Sequence, residues 1–302
     1  MSKALPSSSG YFRKKYADEF QLIETNIAKT SSVLFAIFLI SFPLYAPPFF
    51  IDLAAQVFLA SIGALALMLL TGIAGQISLG HAGLIAAGAF TAGILFKEYN
   101  LPFWVTIPAA AVMGALLGLI FGLPSLRLRG LYLAVSTLAL HFVVIYIGGE
   151  YENKRGFSTG ILVDPPKIFG WEVYATEAWY FVLLAAALVT LLICINLMRS
   201  RSGRAWRAIH SNETVAEALG VNIALYKLLV FVVSSSITAV AGALFAYYRG
   251  FVSIEAFSLY LTIQYVAMII IGGMGSLLGA LLGATFVILF PYMIEGILEM
   301  IP

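Results

Sequence analysis

VFLASIGALALMLLTGIAGQISLGHAGLIAAGAFTAGILF, residues 57–96, is apolar at both ends and interrupted in the middle. The interruption, GIAGQISLGHAG (72–83), sets Gln76, Ser78 and His81 among four glycines. An apolar run of about 18 residues or more is the signature of a membrane span. The question is what polar groups and glycines do inside one.

The rest of the chain answers the question of class. It has 302 residues, is 61% hydrophobic and 11% charged, and its mean hydropathy is +0.98. A soluble domain carries roughly 25% charged residues. Apolar runs recur at 33–50, 53–73, 79–96, 103–123, 131–149, 178–198, 228–248, 257–273 and 277–294. They are continuous, whereas a β-barrel would show short alternating segments. The expected fold is therefore an all-α polytopic membrane protein with about eight to ten transmembrane helices and a broken helix near 72–83. Residues 1–30 are polar and charged, with no cleavage site after the first apolar run, and read as a cytoplasmic N-terminal leader preceding a transmembrane domain over 31–302. The single cysteine, Cys194, lies in an apolar run, so no disulfide framework exists.

With nine spans and the N-terminus inside, 12 of the 17 Lys and Arg fall in inside segments, including Arg127, Arg129, Arg199, Arg201, Arg204, Arg207 and Lys227. Positive charge in short loops stays cytoplasmic, which favours this orientation. A re-entrant passage at 71–80 would invert everything after it. Net charge is only +2, and no nucleic-acid partner is expected; the partner of the apolar surface is the lipid bilayer.

Two soluble segments follow. The external loop is 150–177, with Pro165-Pro166 and no apolar run; the cytoplasmic loop is 199–227. Within the latter, two short helices are expected over 203–220. Ala205, Trp206 and Ile209 share one face of the first. Ser211 or Asn212 can cap the second, where Glu213 and Glu217 favour the positive end of the helix dipole. Val215, Ala216 and Leu219 form an apolar stripe, and Gly220 suits a left-handed helix terminus. Helices this short need something to pack on. One reading lays them on the membrane or the bundle; the other makes them a docking knob, rimmed by arginines, for a cytoplasmic partner.

The break at 72–83 must satisfy its freed backbone groups inside the protein. Gln76, Ser78 and His81 either cap the broken helix or line a translocation path, as discontinuous helices do in transporters; Ser136 and Thr137, within a span, either bond to carbonyls of the preceding turn or line that path. Ser234–Ser236 are expected to bond to carbonyls of the preceding turn. No second His or carboxylate sits at ligand spacing from His81, so no metal is expected. Gly114, Gly118 and Gly122 form a tandem GxxxG run, as do Gly275, Gly279 and Gly283, which lets helix backbones approach closely inside the bundle or against a second bundle. Gly272-Gly273 and Gly275 mark a tight turn between spans.

Four stretches resemble the branched-chain amino acid ABC importer permease family, of the LivH/LivM type: SGRAWRAIHSNETVAEALGVNIALYKLLVF (202–231), GQISLGHAGLIAAGAF (75–90), LRLRGLYLAVSTLAL (126–140) and GGMGSLLGALLGA (272–284). The third stretch and the charged leader look more LivM-like. The resemblance implies a permease subunit in the bacterial inner membrane. It implies pairing with a second homologous permease, two cytoplasmic ATPase subunits and an external substrate-binding protein. It also implies that the loop equivalent to 203–220 couples to the ATPase, through Arg204, Arg207, Asn212, Glu213, Ala216, Glu217, Leu219 and Gly220. This chain departs from the family at RGFSTGIL (155–162), where a Gly-Gly-Ser-Asn/Asp-Gly-Leu type sequence is common.

An enzyme is not expected: there is no nucleophile–base constellation. No Gly-Lys dipeptide exists anywhere, so the phosphate-binding G-x-x-x-x-G-K-[ST] loop is absent. No cofactor is expected on this chain, and ATP would sit on partner subunits. Ion-coupled carriers place carboxylates within spans, whereas Asp52, Glu98, Glu150, Glu255 and Glu295 fall at span ends or in loops. The expected solutes are branched-chain or other amino acids; urea or short amides, or an uncoupled facilitator or secondary carrier, are the alternatives.

Overall fold

In the computed structural model the described residues are 26–126, 128, 130–156, 160–168 and 171–298. Most of the expected leader, Arg127, Arg129 and part of the 155–162 departure lie outside them. Backbone contacts divide the chain into two units, 1–51 and 52–302.

In the first unit, helix α1 (Asn26–Tyr45) carries Phe35, Phe38, Phe42 and Tyr45 as a ridge of neighbouring rings, 5.7–6.5 Å between centroids. Its apolar stretch is Val33–Tyr45, well short of the expected 33–50. Pro47 and Pro48 are the reason. The helix stops at Tyr45, and a new one, α2, begins with Pro48 at its first position, where the missing N–H costs nothing.

Among the described residues seven helices are long and apolar enough to cross a membrane: Pro48–Ile73, Phe103–Pro124, Tyr132–Arg155, Thr176–Arg199, Ile223–Arg249, Ile254–Gly272 and Leu277–Gly296. The protein is an all-α, multi-pass membrane protein. The expected span at 79–96 is helix α3 (His81–Tyr99). It fails the same length-and-composition criterion because His81 opens it and Lys97 and Glu98 close it, leaving an apolar middle about 22 Å long at 1.5 Å per residue. Instead of facing lipid, α3 is buried along most of its length.

The second unit is built around that buried helix. Helix α9 (Ile223–Arg249) packs most extensively on α4 (Phe103–Ser125) and on α3. A methyl group on Gly88 would overlap the Ala239 carbonyl, and one on Gly242 the Ile85 carbonyl, so the α3 and α9 backbones touch. The expected GxxxG face of α4 is used in the same way. Gly114 and Gly118 lie against Ser235, Ala239 and Val232 of α9, and Gly122 against Leu228 and Phe231. Helices α10 (Leu259–Gly272) and α11 (Leu277–Leu298) form a second close pair, in which Gly279 meets Gly272 and Gly283 meets Met268. Gly275 does not belong to that face: it sits in the turn before α11. Both runs are thus used within the chain.

Helix α5 spans Leu131–Arg155 and α6 spans Thr176–Arg199, so the loop expected at 150–177 is shorter. It also contains strand pairing that the all-helical expectation did not foresee. Strand β1 (Ile161–Leu162) pairs antiparallel with β4 (Phe251–Val252), and β2 (Lys167–Ile168) with β3 (Trp171–Glu172). The first pairing, extended by Val163 N–H to Gly250 O at 2.9 Å, ties the loop to the end of α9.

Candidate functional site

Two places carry the residues singled out in the sequence. The first is the broken helix. Helix α2 (Pro48–Leu67) continues as a wide π-helical turn, Met68–Ile73, and ends at Gly75 with φ +71°, a conformation that favours glycine. The chain then runs without regular structure to Gly80, and α3 starts at His81. Each freed backbone group that can be traced has a partner. Gln76 N–H bonds Leu70 O at 3.0 Å, and the Thr71 hydroxyl donates to Gln76 O at 3.0 Å. Leu79 N–H donates to Thr137 Oγ1 at 2.9 Å, and Ala82 N–H to Thr262 Oγ1 at 3.0 Å. Gly80 N–H reaches Ser78 Oγ at 3.4 Å, and Gln76 Nε2 donates to Lys227 O at 3.2 Å.

Gln76, Ser78, His81 and Thr137 are all buried and Ser136 is half-buried. Ser78 and Thr137 cap amides of the break and Gln76 ties it to α9, whereas among the described residues Gln76 Oε1 and His81 Nε2 are buried without a partner and Ser136 makes no bond to it. His81 stacks edge-on against Tyr265, 4.7 Å between centroids. Thr137 also donates to Ala134 O, a bond to its preceding turn, but Ser234 donates across to Ala66 O of α2 rather than along its own helix. Thr262 and Tyr265 were not legible in advance, since their contacts lie about 180 residues from the break in sequence.

The second place is the loop between α6 and α9. Helix α7 (Arg201–Ser211) buries Ala205, Trp206 and Ile209 as expected, and Trp206 Nε1 donates to Tyr226 O at 2.9 Å. Arg204 and Arg207 face their own chain. They donate to Arg199 O at 3.0 Å and Met198 O at 2.8 Å, the orphan carbonyls ending α6, where positive charge suits the helix dipole. Helix α8 (Glu213–Ala218) is capped by Asn212, whose Oδ1 accepts from Val215 N–H at 3.1 Å. Gly220, at φ +86°, closes it in a Schellman motif through Val221 N–H to Ala216 O and Gly220 N–H to Glu217 O.

The expected stripe on α8 is split. Ala216 is 1% exposed and faces inward, whereas Val215 (54%) and Leu219 (76%) point outward. Glu217 is exposed beside them, on a cleft of about 560 Å³ shared with Glu213, Asn222 and Lys227. Lys227, counted as a loop charge, is instead buried on α9 and pairs with Glu213 at 2.5 Å.

The two places touch. His210 Nδ1 lies 3.2 Å from Ile73 O, and its ring fills the space beside Gly75. Together with the Gln76 bond to Lys227 O, this joins α7 and the first turn of α9 to the break.

Comparison with known proteins matches residues 49–300 to the family described as branched-chain amino acid transport system / permease component. The chain belongs to this permease family. Among its relatives is the high-affinity branched-chain amino acid transport system permease protein LivM of Escherichia coli (strain K12), 32% identical over 262 residues, which cover 79% of this chain and 62% of that protein. A probable branched-chain amino acid transport permease protein LivM of Methanocaldococcus jannaschii is 30% identical over 182 residues, covering 59% of this chain and 52% of the relative. The autoinducer 2 import system permease protein LsrC of Enterobacter sp. (strain 638) is 30% identical over 239 residues, covering 76% and 65%. The permease spans 62% of the length of the Escherichia coli LivM that it matches. No solved structure matches it. Its family is one of transport proteins, not enzymes.

Proposed function

We propose that this permease forms the membrane path of an ATP-driven importer for branched-chain amino acids. It would work with a second homologous permease, two ATPase subunits and an external substrate-binding protein in the bacterial cytoplasmic membrane, its N-terminus inside. The observation that carries the reading is α8. This two-turn helix is capped at both ends and presents Val215 and Leu219 outward beside Glu217. A helix of six residues does not hold itself in water. Here the Lys227–Glu213 pair and the inward Ala216 fix it, and the outward apolar pair is left for a partner groove.

ATP binding belongs to the partner subunits, because the chain has no phosphate-binding Gly-Lys loop. Closure of the ATPase dimer would press on α8 and, through Lys227 and His210, on the break at the head of α3.

The test is uptake into cells or proteoliposomes carrying the complete transporter. Leu219→Asp and Glu217→Lys should cut ATP-driven uptake at least tenfold at equal membrane abundance. Ala216→Arg is the wrong probe, because its buried position would unfold α8. Wild-type uptake by Leu219→Asp, or accumulation of solute against its gradient by the permease alone without nucleotide, would overturn the reading.

A further inference from the structure

Helix α2 widens as it ends. Ala74 N–H bonds Leu69 O five residues back, and Gln76 N–H reaches Leu70 O six residues back, at 3.2 and 3.0 Å. A turn wider than the α-helix is rare and frequently marks a functional site. This one, Met68–Ile73, is buried apart from the half-buried Thr71, and different parts of the chain grip its two ends. At its first residue, the Met68 sulfur accepts the N–H of Gly275 at 3.1 Å. Gly275, at φ +92°, lies in the turn between α10 and α11. Gly72 leaves the slot for this contact: a methyl group there would overlap the Met68 sulfur and come within 2.9 Å of the Gly275 nitrogen. At the last residue, Ile73 O accepts from His210 Nδ1 on α7 at 3.2 Å, and the imidazole fills the space beside Gly75. Only Ser211 and Asn212 separate His210 from Glu213, the first residue of α8. His210 is itself anchored, because Trp206, one turn earlier, is buried and bonds Tyr226 O of α9.

Neither clasp holds the fold. The bundle is held by the close backbone contacts of α9 with α3 and α4 and of α10 with α11, and one hydrogen bond is a small share of a protein's stability. A short linker is a different case. Residues 74–80 have no regular structure, so where they lie is decided by how their two ends are fixed. One end is the head of α3, buried in the bundle, and the other is the wide turn.

We infer that Met68 and His210 are positioning residues for transport: by clasping the two ends of the wide turn they set where residues 74–80 lie, Met68 from the α10–α11 turn and His210 from the loop that carries α8. The clasps themselves need no partner subunit; only their part in transport rests on the importer reading. Within that reading the two short helices have separable tasks. α8 docks the ATPase, whereas His210 passes the stroke to the break. Loss of the imidazole therefore leaves ATP hydrolysis running without uptake.

The experiment attaches a nitroxide to the Ile77→Cys variant of the full chain in nanodiscs and reads its mobility by electron paramagnetic resonance. Ile77 is 47% exposed, and the single native cysteine, Cys194, is buried and out of reach of the label. Met68→Leu, which nearly keeps the volume but removes the sulfur, should raise the mobile fraction at least threefold, and so should His210→Leu. Leu69→Met, the reverse swap in the same turn, and His210→Asn, which keeps a donor near the Nδ1 position, should match the parent. His210 is exposed, so its two variants keep the fold and decide the matter even where Met68→Leu melts early. In the complete transporter, His210→Leu should lower the solute taken up per ATP hydrolysed at least fivefold, and His210→Asn should restore it. Leu219→Asp, by contrast, should lower uptake and hydrolysis together. Parent-like mobility in His210→Leu, equal mobility in His210→Asn and His210→Leu, or an unchanged ratio of uptake to hydrolysis in His210→Leu would overturn the inference. So would loosening by Leu69→Met as large as that by Met68→Leu. Mobility that responds as expected, with uptake indifferent to Leu219→Asp, keeps the clasps and removes the importer reading.

Discussion

Replacing Thr262 by Val, alone and with Thr137→Val, decides whether the break in α2–α3 is sealed or wet. Thr262 and Thr137 are 0% and 1% exposed, and their hydroxyl oxygens accept from the amides of Ala82 and Leu79 at 3.0 and 2.9 Å. Valine keeps the branched shape and the helix preference but removes the acceptor. The amide left behind is a buried donor with no partner, which costs about 1–3 kcal/mol. The two amides are different groups, so the double variant should lose about 2–6 kcal/mol if the effects add. Thr91→Val is the control. That hydroxyl only donates to Ala87 O in its own helix, so its removal orphans nothing. The measurement is reversible unfolding in mixed micelles, followed by tryptophan fluorescence and circular dichroism. If both valine variants match the parent within about 0.5 kcal/mol, the amides are finding water, the sealed-cap account is wrong, and the break opens onto an aqueous route.

Two further outcomes test the packing. Gly272→Ala drives a methyl group into the Gly279 carbonyl, an overpacking cost of about 1–3 kcal/mol that should appear as a lowered melting temperature in detergent. Lys227→Met leaves Glu213 half-buried without its cation and should cost about 1–3 kcal/mol, while adding Glu213→Gln should return most of it in the same unfolding assay.

The membrane class, most of the spans and the ends of α8 were readable because each rests on local chemistry. Long apolar runs, an Asn before a helix and a Gly after one act within a few residues. The enclosure of α3 by other helices was not legible, because its apolar middle gives no periodic face from which to infer it. The Thr137 and Thr262 caps were invisible for a related reason, since they meet the break only after the chain has folded back. Gly88 and Gly242, where the α3 and α9 backbones touch, sit in Gly-x-x-x-Ala spacings (Gly88–Ala92, Gly242–Ala246) that are less conspicuous than the tandem glycine runs. Conversely, Arg204 and Arg207 looked like a docking rim because arginines near an apolar knob suggest a partner. In the structure both stay exposed and also donate to the carbonyls ending α6, a second role that the sequence does not announce.

Helix α9 links the proposals physically. At one end Lys227 pairs with Glu213 of α8, and its carbonyl holds Gln76 of the break; at the other end Arg249 closes the helix. From Lys227 to Arg249 the helix rises about 33 Å at 1.5 Å per residue, and it contains no proline. Its backbone is in contact with α3 at Gly88 and Gly242, so it cannot shift alone. On the proposed reading, a displacement delivered to α8 would be passed on by the Lys227–Glu213 pair and move α9 and α3 as a pair. The yielding element is the stretch 74–80, which beyond the end of α2 is held by single bonds to Thr137 of α5 and Lys227 of α9. On the proposed reading, that is where the path changes shape while the helices on either side stay intact.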